Sequence, residues 1–197
     1  VLQLVLVVVA PDAGAPGSVA VRVLRYFSFF TIQSNLLVLI VSITLARNAF
    51  RDGPVWRVLR LDAVLAIALT GVVHYVALRP IQDLVGLNAV ADILLHVVSP
   101  VIVVAGWLLF GPRPRVGGRE VTWSVVWPVL WFGYTLVHGA IADWYPYPFV
   151  DVDELGYGRT LVNAAVVTVI FLALATGMRL LDTRLRPAPA ARVEHTS

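Results

Sequence analysis

Residues 89–110, AVADILLHVVSPVIVVAGWLLF, are apolar for long enough to cross a bilayer, yet they carry Asp92 and His96. About twenty apolar residues rising 1.5 Å each span a hydrocarbon core, and an ionisable side chain within such a span usually faces the bundle interior or a wet cavity. The i, i+4 spacing puts Asp92 and His96 on one helical face, Ser99 continues the stripe, and Pro100 frees a backbone carbonyl one turn back. Two readings follow. Asp92 is a helix-end carboxylate beside a hydrogen-bonded interior histidine, or it orients a functional His96.

The composition points the same way as this stretch. Of 197 residues, 59% are hydrophobic and 14% charged, and the mean hydropathy is +0.84. A soluble domain carries about a quarter charged residues and could not hide so much apolar surface. The reading is an all-α polytopic membrane helix bundle forming one domain over residues 1–181, with five full transmembrane helices and a truncated first helix. The absence of cysteine removes disulfides, thiolate catalysis and Cys-ligated metal. All 15 basic residues are Arg, scattered through loops, which fits a GC-rich bacterial source and a bacterial cell membrane and gives no nucleic-acid patch.

Working outward, residues 1–10 are apolar but only half a span; without a basic segment before them they are read as the remainder of a first helix in preference to the end of a signal-like segment. Crossings are expected at about 26–46, 61–78, 89–110, 121–141 and 159–181. Gly53-Pro54, Arg79-Pro80 and Gly111-Pro112 punctuate them, and Pro128 predicts a kink. Residues 143–158 form an acidic, aromatic loop whose Trp144, Tyr145 and Tyr147 suit an interfacial belt, and 182–197 is read as a disordered tail. No internal repeat is evident.

Arginine asymmetry sets the orientation. Eleven arginines fall in one set of alternate loops and the tail (Arg47, Arg51, Arg57, Arg60, Arg113, Arg115, Arg119, Arg179, Arg184, Arg186, Arg192), against four (Arg22, Arg25, Arg79, Arg159) on the other side. The basic loops and the C-terminus are therefore expected in the cytoplasm. Depth can then be compared between helices. Ser28, Thr31 and Asn35 form a stripe near an outer helix end with Ser34 beside them, and His74, His96, Tyr134 and His138 lie in the outer halves of three others. The inner halves are almost purely aliphatic. Alone, each polar residue is expected to bond its own or a neighbouring helix; together they predict a polar chamber opening outward.

RYFSFFTIQSN (25–35), DILLHVVSP (92–100) and WYPYPF (144–149) resemble, in this order, motifs of the bacterial six-helix relatives of the androgen-induced protein family. That family includes the androgen-dependent regulator of tissue factor pathway inhibitor, and its animal members hydrolyse fatty acid esters of hydroxy fatty acids. The resemblance spans residues 25–181 and implies a catalytic threonine at Thr31 and histidine at His96. Asp92 stands where animal members tend to carry Asn, and the loops are shorter.

The chemistry expected is ester hydrolysis on a fatty-acyl lipid of the outer leaflet. Thr31 attacks, His96 acts as base and then acid, and Asp92 holds the imidazole. Ser28, Ser34, Asn35, His74, Tyr134 and His138 are the substrate-binding candidates, with oxyanion donors sought among Asn35, Ser34 and His74. No G-x-S-x-G elbow is present. No metal, cofactor or protein partner is expected. The rival readings are a non-enzymatic lipid-binding or transport protein and, less favoured, a b-type haem protein ligated by His74 and His96.

Overall fold

A computed structural model of the chain describes residues 2–9 and 17–186. Among them the only regular structure is helical, and five helices are long and apolar enough to cross a membrane, so the fold is an all-α polytopic bundle. In chain order the helices are α1 (Leu2–Val9), α2 (Val19–Ser28), α3 (Phe30–Arg47) and α4 (Pro54–Val73), the last continuing through π-helical His74–Leu78 and a tight turn at Arg79–Ile81. Then come α5 (Gly86–Ile93), π-helical Leu94–Val98 and α6 (Ser99–Phe110) as one rod, α7 (Gly118–Ser124) and α8 (Val126–Ala142) as another, and α9 (Val152–Arg184). Most of the expected tail, 187–197, lies outside the described residues.

The spans agree with the expected ones in number and order, and differ at their ends for local reasons. The crossing expected from residue 26 is broken: Phe29 is extended (φ −66°, ψ 129°), so 26–28 finish α2 and α3 starts afresh at Phe30. The break frees the Ser28 carbonyl, which accepts the Trp131 indole N–H at 3.0 Å. Helix α4 begins at Pro54 instead of near 61, because Gly53 at φ +133° turns the chain and Pro54 takes a first-turn position where its missing N–H is harmless. Helix α9 starts at Val152, capped by Asp151, which accepts from the backbone N–H groups of Asp153 and Glu154; Gly156 (φ +71°) then bends it. The kink expected at Pro128 appears at Val125, because the proline has no N–H for the Ser124 carbonyl one turn back.

Helix α4 is the central rod. In its most apolar stretch 61% of residues are buried, against 22% or less for the other four spans. Helices α3, α6, α7 and α9 pack around it, and the shared core includes Leu65, Leu69, Phe171 and Ala175. The outer helices turn Leu39, Ile102, Val129 and Val166 outward, faces that suit lipid rather than water.

Two small residues permit close approaches. Gly71 of α4 sits against Pro100 and the His96 carbonyl, where an added Cβ would lie 3.2 and 3.3 Å from them. Gly139 of α8 accepts the Tyr145 ring, which a Cβ would meet at 2.0 Å. The first contact brings the His74 end of α4 to the His96 rod, and the second seats the 143–151 loop on the bundle. At the opposite end, Arg113 donates to the Trp107, Leu108 and Gly111 carbonyls that end α6, and Asp182 accepts the N–H groups of Arg115 and Val116 at 2.6 and 2.8 Å.

Candidate functional site

Thr31 stands in the first turn of α3, just past the Phe29 break, where backbone N–H groups have no helical partner. The Thr31 N–H donates to the Tyr147 hydroxyl at 3.1 Å, and the Thr31 hydroxyl lies 3.1 Å from that same oxygen and 3.2 Å from His96 Nε2. His96 occupies the π-helical turn Leu94–Val98, which lies one turn before Pro100. A proline there cannot donate to the His96 carbonyl, and the loosened ladder widens into a π turn, a distortion frequent at functional sites.

His96 Nδ1 is 2.8 Å from Asp92 Oδ1 and 3.1 Å from the Asp92 backbone carbonyl. A carbonyl oxygen only accepts, so Nδ1 carries the proton in the neutral ring. Nε2, facing Thr31, is then the bare nitrogen. The hydrogen bonds run one way as a result: Thr31 N–H to Tyr147, Tyr147 O–H to Thr31 Oγ1, Thr31 O–H to His96 Nε2, and His96 Nδ1–H to Asp92. Burial pushes the Tyr147 phenol up from its ordinary value, although its hydrogen bonds to Thr31 oppose this, so it remains a donor.

His74 completes the cluster from α4. Its Nε2 lies 3.3 Å from Asp92 Oδ2, and its ring stacks on that of His96 at 4.1 Å, 14° from parallel. Asp92 thus takes one imidazole on each carboxylate oxygen. His74 is the more buried of the two, with 4% of its side chain exposed against 14% for His96, and its Nδ1 has no partner. His74, like His96, begins or lies within a π-helical turn.

Tyr147 was not singled out as a site residue by its sequence position, where it reads as one of several interfacial aromatics. It is buried, stacked on Phe149 and edge-on to Phe29, and the prolines on either side of it stiffen the loop. Asn163 of α9 donates to the Phe149 carbonyl at 2.9 Å and fixes that loop to the bundle. The signal that finds Tyr147 is the pair of prolines, which marks a rigid segment in an otherwise ordinary aromatic loop.

The other expected binding residues lie elsewhere. Asn35 donates to the Thr31 carbonyl at 2.9 Å and to the Leu95 carbonyl at 3.4 Å, and so ties the threonine's helix to the histidine's. Ser28 shares a 2.7 Å hydrogen bond with Tyr134 and donates to the Leu24 carbonyl, and Ser34 donates to the Phe30 carbonyl. His138 stacks on Tyr134 and meets Trp144 edge-on. None of Ser28, Ser34, Asn35, His74, Tyr134 and His138 lines the cavities at Thr31. The hydroxyls of Ser28, Ser34 and Tyr134 and the Asn35 amide N–H₂ are taken up by helix carbonyls or by one another, and His74 Nε2 faces Asp92.

Two cavities meet at Thr31 and Tyr147. One, of about 630 Å³, is lined by Arg22, Arg25, Tyr26, Gln82, Asn88, Asp92, His96 and Trp144 among others. The other, of about 150 Å³, is walled by apolar side chains including Leu69, Val73, Phe132, Val167 and Phe171. Arg25 lies over the Trp144 ring at the rim of the larger one.

His74, Asp92 and His96 also form a donor set that a metal ion could use, since one ligand atom from each lies within 4.8 Å of the others. In the present arrangement the Asp92 oxygens are already engaged by imidazole N–H groups. A haem between the two histidines does not fit, because rings stacked at 4.1 Å leave no space for a porphyrin and do not aim their nitrogens at one iron from opposite faces. Comparison with protein-family models, curated proteins and solved structures finds no match.

Proposed function

We propose that the chain is a membrane-embedded hydrolase of fatty-acyl esters that uses Thr31 as nucleophile. The observation that carries this reading is the continuous chain Thr31 Oγ1, His96 Nε2, His96 Nδ1, Asp92 Oδ1, with links of 3.2 and 2.8 Å and a tautomer fixed by the Asp92 carbonyl. Thr31 Oγ1 attacks the ester carbonyl while His96 Nε2 takes its proton. The protonated imidazole, held by Asp92, then donates to the leaving alcohol, and an acyl-Thr31 ester remains. Water attacks that ester with His96 again as base, releasing the fatty acid and restoring the threonine.

Tyr147 is the nearest donor for the oxyanion, because its hydroxyl lies 3.1 Å from Thr31 Oγ1 and stays protonated. His74 is a positioning residue: its Nε2 faces the second Asp92 oxygen at 3.3 Å and its ring packs flat on His96. The two cavities support an ester spanning Thr31, with its acyl chain in the apolar pocket and its alcohol portion in the larger one, whose mixed lining includes Arg22, Arg25, Gln82 and Asn88. The orientation given by the arginines puts that larger opening toward the outer leaflet.

The test is hydrolysis of a fluorogenic medium-chain ester by detergent-purified, monodisperse variants. Thr31→Ala and His96→Ala are each expected to lose about 10⁴–10⁶ in kcat/KM, and the double variant little more, because residues of one catalytic unit are strongly non-additive. Full activity in either single variant removes that residue from the mechanism. Wild-type protein that binds the lipid and hydrolyses nothing is a lipid-binding protein instead.

A further inference from the structure

We propose that the arginine-rich end of the bundle, far from Thr31, holds a binding site for a phosphate oxyanion. A cavity of about 310 Å³ lies there, lined by Arg51, Asp52, Trp56, Arg57, Arg60 and Arg115. Four guanidinium groups therefore face one carboxylate. That carboxylate is shared: Asp52 takes Arg57 in a two-pronged pair at 2.7 Å and is also paired with Arg115. Arg51 lies over the Trp56 ring at 5.0 Å with no carboxylate of its own. Arg60 is half-buried and makes no hydrogen bond or salt bridge among the described residues; the nearest charge to attract it outside the cavity is Asp182, whose Oδ2 takes the Arg115 and Val116 N–H groups while its Oδ1 has no hydrogen-bond partner.

A second observation is independent of this charge count. Trp56 is 6% exposed, it lines the cavity, and its indole N–H has no acceptor. An indole N–H can only donate. A buried donor left unpaired on a residue that walls the same cavity as Arg51 and Arg60, neither of which has a salt bridge, is what an acceptor-only ligand with several oxygens would satisfy. Phosphate has that chemistry and matches the planar arginine fork.

Two sources can supply such a group, a phospholipid headgroup or free phosphate. Trp107 and Phe110 extend one wall of the cavity, and Phe110 and Leu109 are turned outward on the apolar surface, a path that acyl chains could follow. This end is also the one that arginine asymmetry places at the cytoplasmic leaflet, where anionic lipids concentrate.

The experiment measures the Tm of the full chain in neutral detergent with added dioleoylphosphatidylglycerol, inorganic phosphate or dioleoylphosphatidylcholine. Dioleoylphosphatidylglycerol is expected to raise Tm by roughly 5 °C, as saturation of a specific site does for a chain of this size. The rise is expected to shrink by at least half in Arg60→Gln and in Trp56→Phe, and to persist in Arg159→Gln, at an exposed position toward the opposite end. Arg51→Gln, at an exposed position, repeats the test where a folding defect is not expected. A rise with the lipid alone assigns the site to a headgroup, and a rise with inorganic phosphate as well assigns it to the free anion. The site is overturned by a Tm that neither probe moves, or by a rise as large in Arg60→Gln, Trp56→Phe and Arg51→Gln as in the wild type.

Discussion

At the scale of single residues, the site is a question of which atoms carry protons. One backbone carbonyl, that of Asp92, forces His96 to keep its proton on Nδ1 and leaves Nε2 free for Thr31. Replacing Tyr147 by Phe keeps the ring packing but removes the donor nearest the developing oxyanion. Tyr147→Phe is therefore expected to lower kcat by about 10²-fold with KM nearly unchanged. Asp92→Asn should be milder, about tenfold. The amide oxygen can still accept from His96, and the amide N–H₂ can face His74 if that ring moves its proton to Nδ1, which has no partner now. Steady-state kinetics on folded variants checks both, and an Asp92→Asn loss as deep as that of His96→Ala would mean that the carboxylate charge itself is needed.

Thr31, Asp92 and His96 were legible in the sequence because ionisable and hydroxyl groups stand out in apolar helices and depth can be counted from helix ends. Tyr147 was not, since the prolines on either side of it mark a rigid loop without showing whether its tyrosine is buried or interfacial. The meeting of His74 with Asp92 was also hidden. It depends on Gly71 lying against Pro100 and the His96 carbonyl, and a glycine in an apolar run does not say which helix it meets.

Among the elements, irregular turns place the site, whereas the regular helices only carry it. Thr31 depends on the break at Phe29, His74 and His96 on two π-helical turns, and Tyr147 on a short loop between α8 and α9. Proline signalled some of these irregularities, but Phe29 carries no such mark. In a membrane bundle the outward faces are apolar too, so periodicity shows where a helix lies and not which side turns inward. That is why α4 could not be recognised as the central rod.

The close approach of Gly139 and Tyr145 gives this scale its test. A methyl group at 139 would overlap the Tyr145 ring at 2.0 Å, and the ring must move with the loop that bears Tyr147. Gly139→Ala is expected to destabilise by about 1–3 kcal/mol, a fall in Tm of several degrees, with a loss of activity at temperatures where the variant is still folded. Differential scanning fluorimetry beside the ester assay measures both. An unchanged Tm would mean that the loop is seated differently.

For the molecule as a whole, the two ends of the bundle have different chemistry. The Thr31 end has a large cavity of mixed lining and few arginines, and the other end gathers Arg51, Arg57, Arg60 and Arg115 around a smaller one. The number and order of the five spans were readable from hydropathy and loop punctuation, and their packing was not. A reporter fused after Leu181 is expected to behave as cytoplasmic, and one inserted near Asp153 as external. The reverse pattern would turn the Thr31 cavity to the cytoplasm and require an inner-leaflet substrate.

The central claim is that Thr31 is a nucleophile made reactive by His96, and covalent labelling reaches it directly. Purified protein treated with a fluorophosphonate probe is digested, and the modified residue is located by peptide mass spectrometry. The result expected is a single adduct on Thr31 that is absent in Thr31→Ala and strongly reduced in His96→Ala. An adduct on another residue, or labelling undiminished in Thr31→Ala, would contradict it.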